Sequence, residues 1–235
     1  SNTNIASVTR HEFGNPDKAF EEAENVVEKT FTLQMVHQGY IEPHNATAHW
    51  DEDDRIKVWT STQGAFPVRT STAAILDMDV SRIKVTPLEI GGGFGGKIPV
   101  YLEPVVSILS KKSGRPVKAI MERSNVFQAS GPAPGGTITV KMGTDKDANI
   151  IAAETSIKLE AGGFPGAAVG AAVQCIFAPY DIPNTRIDGY DIVVNKPKSA
   201  AYRAPGSPQA AFAAETVSDE LARIHNMDPI DFRLQ

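Results

Sequence analysis

The chain has 235 residues, 41% of them hydrophobic and 22% charged, with a net charge of −5 from 23 basic and 28 acidic side chains. That length can bury a real core as one large domain or two lobes. The acidic balance, spread without runs, argues against nucleic acid as a partner, and no apolar stretch approaches the ~20 residues of a membrane span.

The polar start carries no signal peptide, and its first two or three residues read as an expression remnant. Val27, Lys29, Phe31, Leu33 and Met35 alternate as in a strand. Further strands are expected at Ala46–Asp51, Ile56–Thr60 and Ile83–Pro87, with a helix from about Phe66 to Asp77. Residues 91–97 read Gly-Gly-Gly-Phe-Gly-Gly-Lys, a loop between the strand ending at Pro87 and a helix from Tyr101 to Ser110 that stops at Gly114. Pro116–Met121 reads as a strand. Gly136–Met142 and Ile150–Glu160 read as a hairpin turning through Thr144-Asp145-Lys146-Asp147. Residues 161–180, rich in glycine and alanine, read as a close-packed or ligand-facing loop. Cys175 is the single cysteine. It permits no intrachain disulfide, fits a reducing, cytoplasmic compartment, and reads as a small buried hydrophobe beside Ile176 and Phe177. The last long helix is expected to take Ser207 as N-cap and Pro208 as its first residue, with Ala210, Ala214, Val217, Leu221 and Ile224 as one apolar stripe. It would end near Asn226, followed by a short helix from Asp228-Pro229. The fold class is α+β, with mixed sheets and packed helices.

Four stretches carry candidate chemistry. In His37-Gln38-Gly39-Tyr40-Ile41-Glu42-Pro43-His44 the histidines stand seven apart across a proline. That spacing gives no helical ligand face, so a polar strand end is the better reading. In Thr60-Ser61-Thr62-Gln63-Gly64, Gln63 is a neutral amide able to hydrogen-bond an oxo or carbonyl group. The glycine loop formally satisfies Gly-x-x-x-x-Gly-Lys, but Ile98 stands where a P-loop needs a hydroxyl. Its Gly-x-Gly-x-x-Gly match is weak alone, and Phe94 would crowd a pyrophosphate while suiting a flat or bulky cofactor. Finally, Ala201-Tyr202-Arg203-Ala204-Pro205-Gly206-Ser207-Pro208-Gln209 brings one fixed positive charge to a helix start. A phosphate- or dinucleotide-binding module and a non-catalytic assembly domain are the alternatives to an enzyme.

Taken in order, Ile41-Glu42-Pro43, Ser61-Thr62-Gln63, Gly91–Lys97, the Arg203 loop and Met227-Asp228-Pro229-x-x-Phe232-Arg233-Leu234 resemble the molybdenum hydroxylases. That family comprises the xanthine dehydrogenases, aldehyde oxidases and carbon monoxide dehydrogenase large subunits, and the resemblance runs from about residue 15 to 235. It implies a single molybdopterin-binding module over 1–235 that holds molybdenum–molybdopterin, in a dinucleotide form. It also implies an oxidoreductase acting on a small-molecule substrate with water as the oxygen source. By position, Gln63 matches the amide facing the apical oxo ligand. Gly92, Gly93, Phe94 and Gly95 match the loop against metal and pterin, and Arg203 with Ala204 matches the border of the molybdenum centre. No direct protein ligand to the metal is expected. Ile98 and Pro205 fall in the substrate pocket where purine-oxidising members place a glutamate and an aromatic, and Ala171 or a neighbour replaces their second arginine. A purine needs those groups, so an aldehyde or an N-heterocycle is the expected substrate. The carbon monoxide oxidisers' loop cysteine is absent after Arg203. The family's glutamate base lies in a late Gly-Val-Gly-Glu segment, which this sequence does not contain, so no catalytic residue is assigned. The second cofactor-binding module, the FAD domain and the [2Fe-2S] domains are expected on other segments or subunits, and the chain alone is expected to be inactive.

Overall fold

The computed structural model describes residues 3–235, so the expected N-terminal remnant lies partly outside the described residues. The chain divides into two compact units, and it leaves the first for the second and returns twice.

One unit holds the described residues up to Val36, Pro134–Ser199 and Ala204–Gln235. Its strands are β1 (Ile5–Phe13), β2 (Asn25–Leu33), β7 (Gly136–Thr144), β8 (Ile150–Gly162) and β9 (Thr185–Val193), in the order β1-β9-β8-β7-β2. All pairs are antiparallel except β8 with β9. With a period of two, β7 and β8 alternate between a core-facing and an outward-facing side, whereas the edge strand β1 is exposed on both. Ile138, Val140, Met142, Ile157 and Leu159 point inward against α5 (Val169–Cys175) and α6 (Ser207–Ile224). On the opposite face, where α1 (Pro16–Glu22) sets Phe20 over Lys141 and Asp17 against Arg186, the register places Glu28, Lys141, Glu154, Arg186 and Glu12 side by side across all five strands. The signs alternate at every step, and Arg186 reaches Glu12 at 3.1 Å and Glu154 at 3.5 Å. A one-residue slip in any pair would break this row and turn apolar residues outward. The β7–β8 turn forms as its sequence demands, with Asp145 Oδ1 accepting from the N–H groups of Asp147 and Asn149.

Several expectations are corrected here. Residues 161–180 are not one loop, because α5 forms within them. Gly189 of β9 is what lets it pack, since a Cβ there would lie 2.6 Å from Val169 and Val173. The N-cap of α6 is Gly206 rather than Ser207, whose hydroxyl instead donates to Cys175 Sγ at 3.1 Å. Cys175 is exposed, not buried. Ile224 is exposed as well, whereas Ala210, Ala214, Val217 and Leu221 are fully buried. The chain leaves α6 with left-handed Asn226, and Asp228 caps α7 (Pro229–Arg233) through the Ile230 N–H.

The other unit holds His37–Ala133 and Ala200–Arg203. Its sheet is formed by β3 (Asn45–Trp50), β4 (Ile56–Thr60), β5 (Ile83–Pro87) and β6 (Val117–Ile120), ordered β5-β4-β3-β6, with β4 and β5 parallel. Ala48, Trp50, Ile56, Val58 and Val106 form its core, closed by α2 (Ala65–Leu76) and α3 (Glu103–Ser113). Gly114 stops α3 in the left-handed conformation, and α4 (Arg123–Ala129) follows β6. Both sheets are mixed, so the α+β expectation holds.

Candidate functional site

The second unit brings Gln63, the glycine loop and Arg203 together. β4 ends at Thr60, and Ser61 and Thr62 are buried beyond it, so the exposed Gln63 leaves from a fixed base. Thr62 Oγ1 donates to the Lys97 carbonyl at 3.1 Å and the Gln63 N–H donates to the same oxygen at 3.0 Å. Gln63 Oε1 in turn accepts from the N–H of Gly95 at 2.8 Å and of Lys97 at 3.3 Å. Two donors on the carbonyl oxygen define which end of the amide is which. The –NH2 end bonds no protein group among the described residues, and it remains a neutral donor beside the loop.

The loop's glycines are needed for this approach. A Cβ on Gly93 would lie 2.5 Å from Gln63 Oε1. Gly95 has φ +105°, and a Cβ there would stand 2.6 Å from the Ala201 carbonyl oxygen. Phe94 also has positive φ and remains half-exposed. Its carbonyl accepts from the Arg203 N–H at 2.8 Å, so the Arg203 segment is pinned by its backbone. The guanidinium makes no ion pair among the described residues and is exposed. Gln38 adds a second tie, donating through Nε2 to the carbonyls of Gly131 and Ala201 at 2.9 and 2.7 Å. Its Oε1 is buried with no partner among the described residues. Ile98 is part-exposed at the end of the loop. Ala204, with φ +56°, and Pro205 belong to the other unit, where the Ala204 carbonyl accepts from the Ser207 N–H.

Lys97 corrects the phosphate-loop alternative. Its side chain is 0% exposed and its ammonium donates to Glu42 Oε2 at 2.7 Å. The loop therefore presents no lysine to a phosphate. The dinucleotide variant fails nearby. The first residue of α3 is buried Glu103, whose carboxylate accepts from the Thr60 hydroxyl and the Tyr101 N–H, so that helix start already holds an anion.

Beneath the loop runs a polar chain built on the His37–His44 stretch, which is irregular rather than the expected strand end, together with Ser130, which the sequence did not single out. His37 meets Ser130 Oγ at 2.8 Å, and Tyr40 OH meets Ser130 Oγ at 3.2 Å and His44 Nε2 at 2.6 Å. Burial, then Lys97 and His37, pushes His44 down to about 4, so it is neutral near pH 7. Burial also raises the Tyr40 phenol, and burial followed by Arg123 lowers His37. Burial pushes the Glu42 carboxyl up, but Lys97 and the Gly91 N–H outweigh it and leave it below the ordinary carboxylate range. The sequence signal for this layer was an acid and a base in separate motifs, Glu42 and Lys97, each otherwise without a role.

A free neutral donor held on a loop packed closely through its glycines, beside a half-exposed aromatic, fits a bulky polar cofactor. Comparison with known proteins agrees. The family model described as the molybdopterin cofactor-binding domain matches residues 1–235. The nicotinate dehydrogenase large molybdopterin subunit of Eubacterium barkeri is 31% identical over 99% of the chain and 55% of its own length. The xanthine dehydrogenase/oxidase of Gallus gallus is 29% identical, over 97% of the chain and 17% of its own length. Quinoline 2-oxidoreductase from Pseudomonas putida 86 superposes with a TM-score of 0.89 at 25% identity, covering 98% of this chain and 30% of that one. The chain thus spans about half or less of the length of these relatives. It belongs to the molybdopterin cofactor-binding domain family.

Proposed function

We propose that the chain forms part of the cofactor and substrate site of an oxidoreductase that hydroxylates an N-heterocycle or an aldehyde with oxygen from water. Bound molybdopterin, with its molybdenum, would supply the two-electron chemistry. The observation that carries this reading is the fixed Gln63 amide. Its carbonyl oxygen is held by Gly95 and Lys97, leaving –NH2 as a donor that can steer an oxo group without protonating it. Gly92, Gly93 and Gly95 would let the loop backbone approach the cofactor, and Phe94 would lie against it. Arg203 and Ala204 would line the border of the same centre. Ile98 and Pro205 would present no charged or stacking group to the substrate, which disfavours a purine.

By their names, the nicotinate and quinoline enzymes act on N-heterocycles, so that class is the first choice here. The xanthine dehydrogenase/oxidase relative favours purines by name, but Ile98 and Pro205 weigh against carrying that over. The activity would need the second cofactor module with FAD and [2Fe-2S] partners, and a cytoplasmic location fits the single thiol.

The test is metal and pterin analysis of the intact enzyme carrying this chain, beside turnover of N-heterocycles and aldehydes with an artificial electron acceptor. Molybdenum and a pterin dinucleotide should be found together with turnover of one class. Finding neither cofactor component refutes the reading.

A further inference from the structure

Five glycines in seven residues leave the loop Gly91–Lys97 with high conformational entropy, yet Gln63 needs two of its amides at fixed positions. One carboxylate resolves this. Glu42 Oε2 accepts from the Gly91 N–H at 2.8 Å and from Lys97 Nζ at 2.7 Å, so both ends of the loop meet on one oxygen. The Glu42 N–H returns a bond to the Gly91 carbonyl at 3.0 Å, and Asn45 Nδ2 holds the other carboxylate oxygen at 3.1 Å. The Lys97 ammonium lies 5.1 Å from the centroid of the buried Tyr40 ring. The backbone of Lys97 is what grips Gln63, through its N–H to Oε1 and its carbonyl to the Gln63 N–H.

We propose that Glu42 and Lys97 are positioning residues, an ionic clasp with a buried ammonium and a part-exposed carboxylate that closes the glycine loop and thereby sets the direction of the Gln63 amide. The clasp stands on geometry alone; its catalytic consequence rests on the reading of Gln63 as the donor facing the cofactor. A buried cation has no cheap alternative partner, so the loop is held in one arrangement.

The test is residue-resolved hydrogen exchange of the Gly95 amide in Glu42→Gln, Lys97→Met and the double variant. Glu42→Gln keeps the shape and an acceptor for Gly91 and serves if Lys97→Met does not fold. Exchange at Gly95 should rise on the order of tenfold or more beyond any rise at Ala48 in the core of β3. The double variant should lose little more than either single one. A rise no larger than that at Ala48 overturns the proposal, since it would mean general destabilisation. In the intact enzyme, kcat should fall with KM held. A loosened loop with unchanged kcat would leave the clasp standing and overturn the reading of Gln63.

Discussion

Replacing Gly95 by alanine tests whether the loop depends on having no side chain. Two local costs are set by the geometry. At φ +105° an alanine is held in a conformation that costs about 1–3 kcal/mol. Its Cβ would stand 2.6 Å from the Ala201 oxygen and 2.8 Å from the carbonyl carbon, which are backbone atoms, so Ala201 must move. Such overpacking costs roughly 1–3 kcal/mol, and a shift that breaks the bond from the Gly95 N–H to Gln63 adds about 1 kcal/mol. The sum is about 3–7 kcal/mol. Gly114→Ala is the matched control, because Gly114 has φ +64° with nothing within 4 Å of the new Cβ. It should cost only the backbone part, about 1–2 kcal/mol. Both tryptophans, Trp50 and Trp59, lie in the sheet of this unit, so urea unfolding followed by their fluorescence reads the right region. If Gly95→Ala costs no more than Gly114→Ala, the close approach to Ala201 is not real and the packing argument fails.

Four further outcomes are expected. His44 has its folded pKa depressed to about 4, so the unfolded state binds more protons as pH falls. Its contribution is complete above about 6.5 and is lost towards 4, by up to ~3 kcal/mol. His44→Gln should flatten the drop in stability between pH 7 and 5, and an unchanged drop would refute the assignment. Gln63→Glu keeps an acceptor for Gly95 but removes the donor, so cofactor-loaded turnover should fall by on the order of 10²-fold with folding intact. Leu221→Ala should cost about 2–5 kcal/mol in urea unfolding, whereas Ile224→Ala on the same helix should cost under ~1 kcal/mol; equal costs would contradict their burial. Cys175 should react with a thiol reagent in the folded protein as fast as an exposed thiol, and protection until unfolding would show that it is covered.

Much of the fold could be read from local pattern. The hairpin β7–β8, the strands of the second unit and the course of α6 follow from period-two alternation, Gly114 and the 210–221 stripe, because those signals are carried within a few residues. What was missed depends on partners far away in sequence. β1 is an exposed edge strand with almost no buried face, so it shows no apolar alternation. β9 has a glycine at the centre of its register, and that glycine makes sense only once Val169 and Val173 of α5 lie over it. The row from Glu28 to Glu12 across five strands is invisible until the register is known. At the site, the motif residues came through resemblance, while Tyr40, His44, Ser130 and Gln38 did not. Their roles are hydrogen bonds to one another and to nearby backbone, and no spacing rule encodes those.

Lys97 shows why a motif match is weaker than the geometry behind it. The stretch Gly91–Lys97 satisfies a phosphate-loop pattern letter for letter up to the lysine. In a phosphate loop that lysine works because its ammonium reaches the ligand. Here Glu42 takes the ammonium inside, and the buried Tyr40 ring lies beside it. Charge that would have met an anion is spent internally on closing a flexible loop. What faces outward is the uncharged amide of Gln63 and a half-exposed Phe94, while Gly93 and Gly95 are buried against Gln63 and Ala201. A cation at that position would attract phosphate and would favour protonation states of a bound oxo group that a neutral donor leaves alone. The residue that takes this loop out of the phosphate-binding pattern is Glu42, 49 positions before the loop begins.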